Sequence, residues 1–376
     1  MVLLMAWLWL VLVPSELFAQ LDVQSLYADL DDEMVSSLYV QSTAKLYRHD
    51  LGSEVHWGRS ERDLDSRLVM NNKVSDNLRM RADVGLQLGT EDPQKLMFAY
   101  RYGVHAIFLQ YGVLSLGRMY TPTRQSYAMT TMSSGITATP FRDAPQAEMV
   151  LRDSTVRVGV LKDWFGYGLS RGTDQRAMLV YTLPWSAAKL SLGVSAMGKK
   201  AVYEGALRFD ADWLAARWSW LLAYANAMPS LPNYTDAHYA SLASKFSIAD
   251  LDVSSSYSTL LSPRLANVVQ WTMGADYQFV NFSAYGPLSM GLGAVYRKNG
   301  LLSYPNVDDL QVPVHAAKAW VVSLGLHQRL GQAGLKLRLD RFVLSAREDV
   351  SRNLLRLRPL HNVVLSLYYN LNYFPA

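Results

Sequence analysis

The sequence predicts an all-β fold: a transmembrane antiparallel β-barrel of sixteen strands, with eighteen as the alternative. Three observations carry this. Apolar and polar residues alternate one by one through long segments. The 376-residue chain is 50% hydrophobic and only 18% charged, yet past residue 20 no run of about 18 consecutive apolar residues occurs. A helical membrane protein is therefore excluded. Aromatic residues make up 11% of the chain, Tyr is twice as frequent as Phe (22 against 11), and the rings gather near the ends of the alternating segments. Such rings form girdles where a barrel crosses the membrane interfaces.

In chain order, residues 1–19 read as a signal peptide and 20–376 as a single barrel domain. The apolar run Val2–Val13 is too short to cross a bilayer but suits a signal-peptide core. Pro14 ends it, and Leu17-Phe18-Ala19 offers a small-residue cleavage site. No Lys or Arg precedes Lys45, so the usual positive leader is missing. Gln20–Ser36 is an acidic lead-in.

The alternation is clearest in Leu78–Leu88. Leu78, Met80, Ala82, Val84, Leu86 and Leu88 share one face, and Arg79, Arg81, Asp83, Gly85 and Gln87 the other. Side chains of a strand flip sides at every residue, so one face is apolar and one polar. Leu335–Asp340, Leu288–Gly293 and Leu214–Trp220 repeat the pattern. The last strand sets Val363, Leu365, Leu367, Tyr369, Leu371 and Tyr373 against Ser366, Asn370 and Asn372. These segments are long enough for tilted strands across a bilayer, which need about 9–11 residues. Soluble strands usually run about 5–6.

Connections alternate between short and long, as periplasmic turns and outer loops do in such barrels. The short ones are Pro184–Lys189, Phe209–Trp213, Ile248–Leu251, Val280–Tyr285 and Leu330–Gly334. The long ones are Met119–Leu151, Asn226–Ala237, Leu260–Asn267, Lys298–His315 and Ala346–His361. The eighteen-strand count arises if Trp164–Arg171 and Gln175–Leu183 are separate strands. A barrel of either size encloses water.

Several function classes fall away. With no Cys there is no disulfide framework, thiolate metal site or Cys nucleophile. The seven His never pair at metal spacing, so neither a metal nor a cofactor is expected. The basic residues are spread along strands, which argues against nucleic acid despite an isoelectric point near 9.0. No Gly-x-Ser-x-Gly occurs, and the chain reads as a non-enzyme. An outer-membrane hydrolase would need a Ser, a His and an acid brought together from different strands.

Four segments resemble the classical Gram-negative general porin family. Ser66-Arg67-Leu68-Val69-Met70 with Leu78–Leu88 is similar to its Ser-Arg-Leu-Gly-Phe strand and the strand that follows. Tyr100-Arg101-Tyr102-Gly103-Val104 is similar to its Asn-Arg-x-Ala strand. Tyr111–Pro122 resembles its Phe-Gly-x-Leu-x-Leu-Gly-Arg-x-Tyr-x-Pro stretch. Arg152–Val158 resembles its Arg-x-x-Asn-Ser-Val-x-Tyr strand. Together they cover about residues 38–170.

The resemblance implies a trimeric outer-membrane barrel among outer-membrane lipids and lipopolysaccharide. Its third loop, here about Thr121–Leu151, folds into the lumen and narrows it. Wall arginines there face loop carboxylates. Carried over, the wall positions are Arg67, Arg101 and Arg152, with Arg118 supporting the site and Lys45 a further member. The loop offers Asp143 and Glu148 as acids, plus Arg124 and Arg142. The chain departs from the family in two places. Met129–Thr139 is rich in Thr and Ser and uncharged where the family carries Pro-Glu-Phe-Gly-Gly. The chain also ends Asn372-Tyr373-Phe374-Pro375-Ala376 rather than on Phe.

Alternation alone makes Arg79, Arg81, Asp83, Arg217, Arg297, Arg329, Lys336 and Arg338 candidates for the lumen. Basic residues dominate this set, and rings of Arg or Lys favour anions. The expected function is passive diffusion of small hydrophilic solutes and ions with weak anion preference. The alternative is a channel selective for phosphate, a sugar or a dicarboxylate.

Overall fold

A computed structural model describes residues 36–50, 55–92, 95–124, 129–130, 132–134, 146–151, 155–159, 175–185, 187–197, 200–213, 215–227, 236–263, 267–283, 286–298, 318–345, 354–357 and 360–373, with side-chain detail for part of them. The signal-peptide segment lies outside these residues. The strands are β1 (Ser36–Asp50), β2 (Val55–Ser75), β3 (Leu78–Asp92), β4 (Lys95–Phe108), β5 (Gly112–Tyr120), β6 (Gln146–Leu151), β7 (Thr155–Gly159), β8 (Gln175–Trp185), β9 (Ala188–Met197) and β10 (Lys200–Trp213). They continue with β11 (Ala216–Ala225), β12 (His238–Ile248), β13 (Leu251–Leu261), β14 (Val268–Ser283), β15 (Gly286–Lys298), β16 (Lys318–Leu330), β17 (Ala333–Ser345), β18 (Leu354–Leu357) and β19 (Leu360–Tyr373).

Among the described residues, sixteen of these strands form one antiparallel ring. It runs from β1 to β5, passes directly to β8, continues through β17 and β19, and returns to β1. A ring leaves no unpaired strand edge, as a sheet in lipid requires. β6, β7 and β18 form a separate three-stranded sheet.

Two expectations are corrected here. Arg152–Val158 was expected to be the wall strand after the long loop. Thr155–Gly159 instead pairs with β6, because the free edge of β5 is taken by β8, with Tyr120 opposite Gln175. Arg152 itself lies outside the described residues. Phe209–Trp213, expected as a turn, belongs to β10. Asp210 there is held in the sheet by Arg208 at 2.8 Å and by the Ser219 hydroxyl of β11. Of the segments behind the eighteen-strand count, Gln175–Leu183 lies within β8, and Trp164–Arg171 is outside the described residues.

The faces divide as alternation demands. Leu292 is 60% exposed and Trp271 54% exposed on the outer face, whereas Gln270 on the same strand as Trp271 is 2% exposed. Most outward positions are thus apolar, and inward positions hold small or polar groups together with some apolar ones such as Leu221, Tyr239 and Leu260. On β12–β14 the inner face is a ladder of hydroxyls: Ser241 meets Ser258 at 2.8 Å, and Ser256 meets Thr272. Such cross-strand pairs hold neighbouring strands in register.

Outward aromatics fall at two heights. Trp218, Trp220, Phe246, Tyr277 and Phe279 cluster towards the short-turn end, with Trp218 edge-on to Phe246 at 4.9 Å and Tyr277 to Phe279 at 4.7 Å. Tyr257, Trp271, Tyr296 and Trp320 cluster towards the other end, paired at 5.6 and 4.6 Å. These are the two girdles of a membrane-spanning barrel.

Candidate pore constriction

The chain between β5 and β6 decides what the interior becomes. Its described parts touch inward-facing residues along one half of the wall. At the root, a 3-10 turn (Pro122–Arg124) sits against β9 and β10. A Cβ added to Gly193 would lie 3.0 Å from Pro122, so glycine there makes room for the loop. The Thr123 hydroxyl donates to the buried Glu204 carboxylate at 2.8 Å. Farther on, Met129 joins a buried cluster with Ala206, Leu221, Ala223, Tyr239 and Leu260. Met132 rests over Gly274, where an added Cβ would meet it at 3.0 Å. The Ser133 hydroxyl and the Ser134 amide (3.2 Å) both donate to the Asp276 carboxylate of β14. Ser133 also reaches Ser289 of β15 at 3.3 Å. The described part of the loop therefore runs inside the barrel and seats on the half of the wall formed by β9–β15.

This seat explains an oddity of the sequence. β11 reads Leu221-Leu222-Ala223-Tyr224-Ala225, apolar on both faces. Leu222 and Tyr224 face outward, while Leu221, Ala223 and Ala225 lie under the loop.

The wall formed by β3–β5 has the opposite character. Arg79 and Arg81 are half-buried on its inner face, and Asp83 beside them is buried. Arg101 also points inward, its side chain crossing the space that a Cβ on Gly85 would fill. His105 stands opposite Arg81 on β3 and Ser115 on β5. Its Nε2 lies 3.2 Å from Asp83 Oδ2 and its Nδ1 2.7 Å from the Ser115 hydroxyl. Sequence reading missed His105 and Ser115, because only the strand register brings them beside Asp83. Ser115 is buried in the wall, 6% exposed.

Arg118 is corrected. It was expected to support the constriction, but it shares the parity of the outward Leu114 and Leu116, whereas Ser115 and Gly117 are the buried, inward positions. Its guanidinium lies 4.6 Å from the ring centre of the outward Tyr100. A cation at the aromatic girdle is stabilised by the ring face.

Other expected members have mixed fates. Arg67 lies on β2 in register with Gly85, and Lys45 on β1 between Glu61 and Ser366; their side chains are outside the described set. Glu148 lies on β6, in register with Arg157 of β7, and its side chain is likewise outside. Asp143 and Arg142 lie outside the described residues. Arg297 is fully buried, with its guanidinium donating to Gln270 at 2.7 Å. Arg338 pairs with Asp340 at 3.0 Å, and Asp340 also accepts from Ser323. These two stiffen the wall. Arg217 and Arg329 are exposed near short turns. Lys336 lies 5.4 Å over the Tyr368 ring, whose hydroxyl meets His327 at 2.8 Å.

No family model and no curated protein matches the sequence. Solved structures do match in shape. An anion-selective porin from Comamonas acidovorans aligns with a TM-score of 0.57 at 14% identity, covering 90% of this chain and 100% of that one. OmpF of Salmonella typhi, in complex with daunomycin, aligns at 0.57 and 9%, covering 89% and 97%. OmpT of Vibrio cholerae in a trimer form, described as an outer-membrane protein, aligns at 0.53 and 13%, covering 90% and 100%.

The chain has the porin fold.

In this porin fold the described inner wall of β9–β15 carries the loop on many small, hydroxylated or apolar residues, with Glu204, Asp276 and Arg297 among them, while that of β3–β5 bears Arg79, Arg81 and Arg101. Its loop seat was legible in part: inward acids at Glu204 and Asp276, and inward glycines at Gly193, Gly274 and Gly291, mark where something lies against the wall.

Proposed function

We propose that this chain forms a water-filled channel in the outer membrane of a Gram-negative cell, for passive diffusion of small hydrophilic solutes and ions. It is read as a pore and not an enzyme. One observation carries the reading: the loop is seated inside the barrel against β9–β15, opposite a wall bearing Arg79, Arg81 and Arg101. A narrowed passage beside a cationic wall holds water in order and lowers the energy of a passing anion. Weak anion preference follows from that wall. Outer-membrane lipid and lipopolysaccharide are the proposed surroundings, a reading that the outward aromatic girdles support, and a homotrimer is the proposed assembly, supported by the trimer form of a structure with the same fold.

Reconstitution into planar bilayers tests the channel. Discrete conductance steps, with a reversal potential displaced towards chloride in a KCl gradient, are the expected result. A protein that inserts and gives no steps would sink it. Saturating current block by phosphate, a sugar or a dicarboxylate would instead favour the substrate-selective alternative.

A further inference from the structure

The outer face of the barrel gathers cations at one place. Lys298 ends β15 and Lys318 begins β16, and the two stand directly opposite each other. Both share the outward parity of Tyr296 and Trp320, whose rings form the girdle one step nearer the membrane centre. On the next two wall strands, Arg341 of β17 stands directly opposite His361 of β19. Arg341 has the parity of the outward Leu339 and Val343 and is in register with Val322 of β16. All four side chains are exposed. Among the described residues none of the four has a carboxylate partner.

Packing within the chain does not account for this grouping. Like charges directly opposite in a sheet repel. A guanidinium on the lipid face is disfavoured more the deeper it lies, and its long stem lets it reach back to the interface. A multivalent anion lying against these strands reverses both effects. It bridges Lys298 and Lys318 and gives Arg341 a bidentate acceptor. His361 offers a ring N–H in either protonation state. The side chains point away from the lumen at the level of the girdle, so the anion is one carried by a lipid. Lys298 and Lys318 also border the long connection between β15 and β16, and long connections of such barrels lie on the outer side. Phosphates of the outer leaflet are therefore the anions within reach.

We propose that the outward face of β15, β16, β17 and β19 binds the phosphate groups of lipopolysaccharide through Lys298, Lys318 and Arg341, with His361 beside them. This rests on the outer-membrane reading above and names the place on the wall.

The test titrates the folded protein, in nonionic detergent, with fluorescently labelled lipopolysaccharide and reads binding by anisotropy. In the triple variant Lys298→Gln, Lys318→Gln, Arg341→Gln the apparent Kd is expected to rise about 100-fold, since each cation near an anionic lipid contributes about five-fold. Lys200→Gln is expected to leave the Kd unchanged, because Lys200 is already paired with Asp236 at 2.8 Å. Dephosphorylated lipopolysaccharide is expected to bind the unmodified protein as weakly as the intact form binds the triple variant. Equal affinity for the two forms overturns the proposal, and so does an unchanged Kd in the triple variant. A loss in Lys200→Gln as large as in the triple variant also overturns it, because general charge then does the binding. A triple variant that loses its oligomer yet keeps lipopolysaccharide overturns it too and makes this face a contact between copies. Heat-modifiable gel migration shows that each barrel is folded. A protein that fails to insert into vesicles removes the outer-membrane reading itself, whereas one that inserts and gives conductance steps leaves that reading standing whichever way lipopolysaccharide binds.

Discussion

Arg101 and Arg118 stand on neighbouring strands, yet one faces the interior and the other lipid. Parity along the strand makes the difference, and it separates their effects. Arg101→Ala is expected to move the reversal potential towards cations, because a charge leaves the inner wall. Arg118→Ala is expected to leave the reversal potential unchanged, since its guanidinium lies over Tyr100 on the outer face. Both measurements use one KCl gradient, with heat-modifiable gel migration to show that each barrel is folded. A shift of equal size in both would contradict the assignment of faces. Residue identity was legible here, but Arg118 misled. The Gly-Arg pair matched a family pattern, while the alternation of Leu114 and Leu116 with Ser115 and Gly117 already placed the arginine outside.

At the scale of elements, the loop after β5 depends on a few buried contacts. Asp276→Ala removes the acceptor for the Ser133 hydroxyl and for the buried Ser134 amide, and loss of a buried donor's partner costs about 1–3 kcal/mol. The expected readout is a larger and noisier single-channel conductance, as the loop leaves its seat. Gly274→Leu is expected to act in the same direction by displacing Met132, without removing a hydrogen bond. Quiet, unchanged conductance in both variants would show that this seat does not define the passage. Turns carry their own strain. Ala249, between β12 and β13, adopts φ 45°, which a Cβ disfavours by about 1–2 kcal/mol. Ala249→Asn is expected to raise resistance to denaturant in refolding titrations, because Asn tolerates this region better. The strands themselves were readable, since a period of two needs only nearest neighbours. The expected wall strand at Arg152–Val158 was not, because which strand closes on β5 depends on a pairing with β8, far along the chain.

For the whole molecule, the controlling fact is inversion: apolar outward, polar inward. A charge placed on the outer face between the girdles meets lipid. Leu292→Arg is expected to cost about 2–4 kcal/mol in folding into bilayers, read from denaturant titration in lipid vesicles. The same substitution would cost little if this face were wet. The closed ring of the described wall strands leaves no edge of its own for assembly, so the proposed trimer would pack through outer faces.

By itself the sequence determined the class of fold, the two faces of each strand, the girdles and the existence of a long insertion after β5. All of these follow from local periodicity, which survives in one dimension. Only the tertiary structure decided that the described loop seats on β9–β15, that β8 follows β5 in the wall, and that Asp83, His105 and Ser115 meet. Those facts depend on register between strands and on which half of a closed wall a loop lies against. Neither is encoded in neighbouring residues, because hydrogen bonds across a sheet join positions whose separation along the chain carries no fixed period.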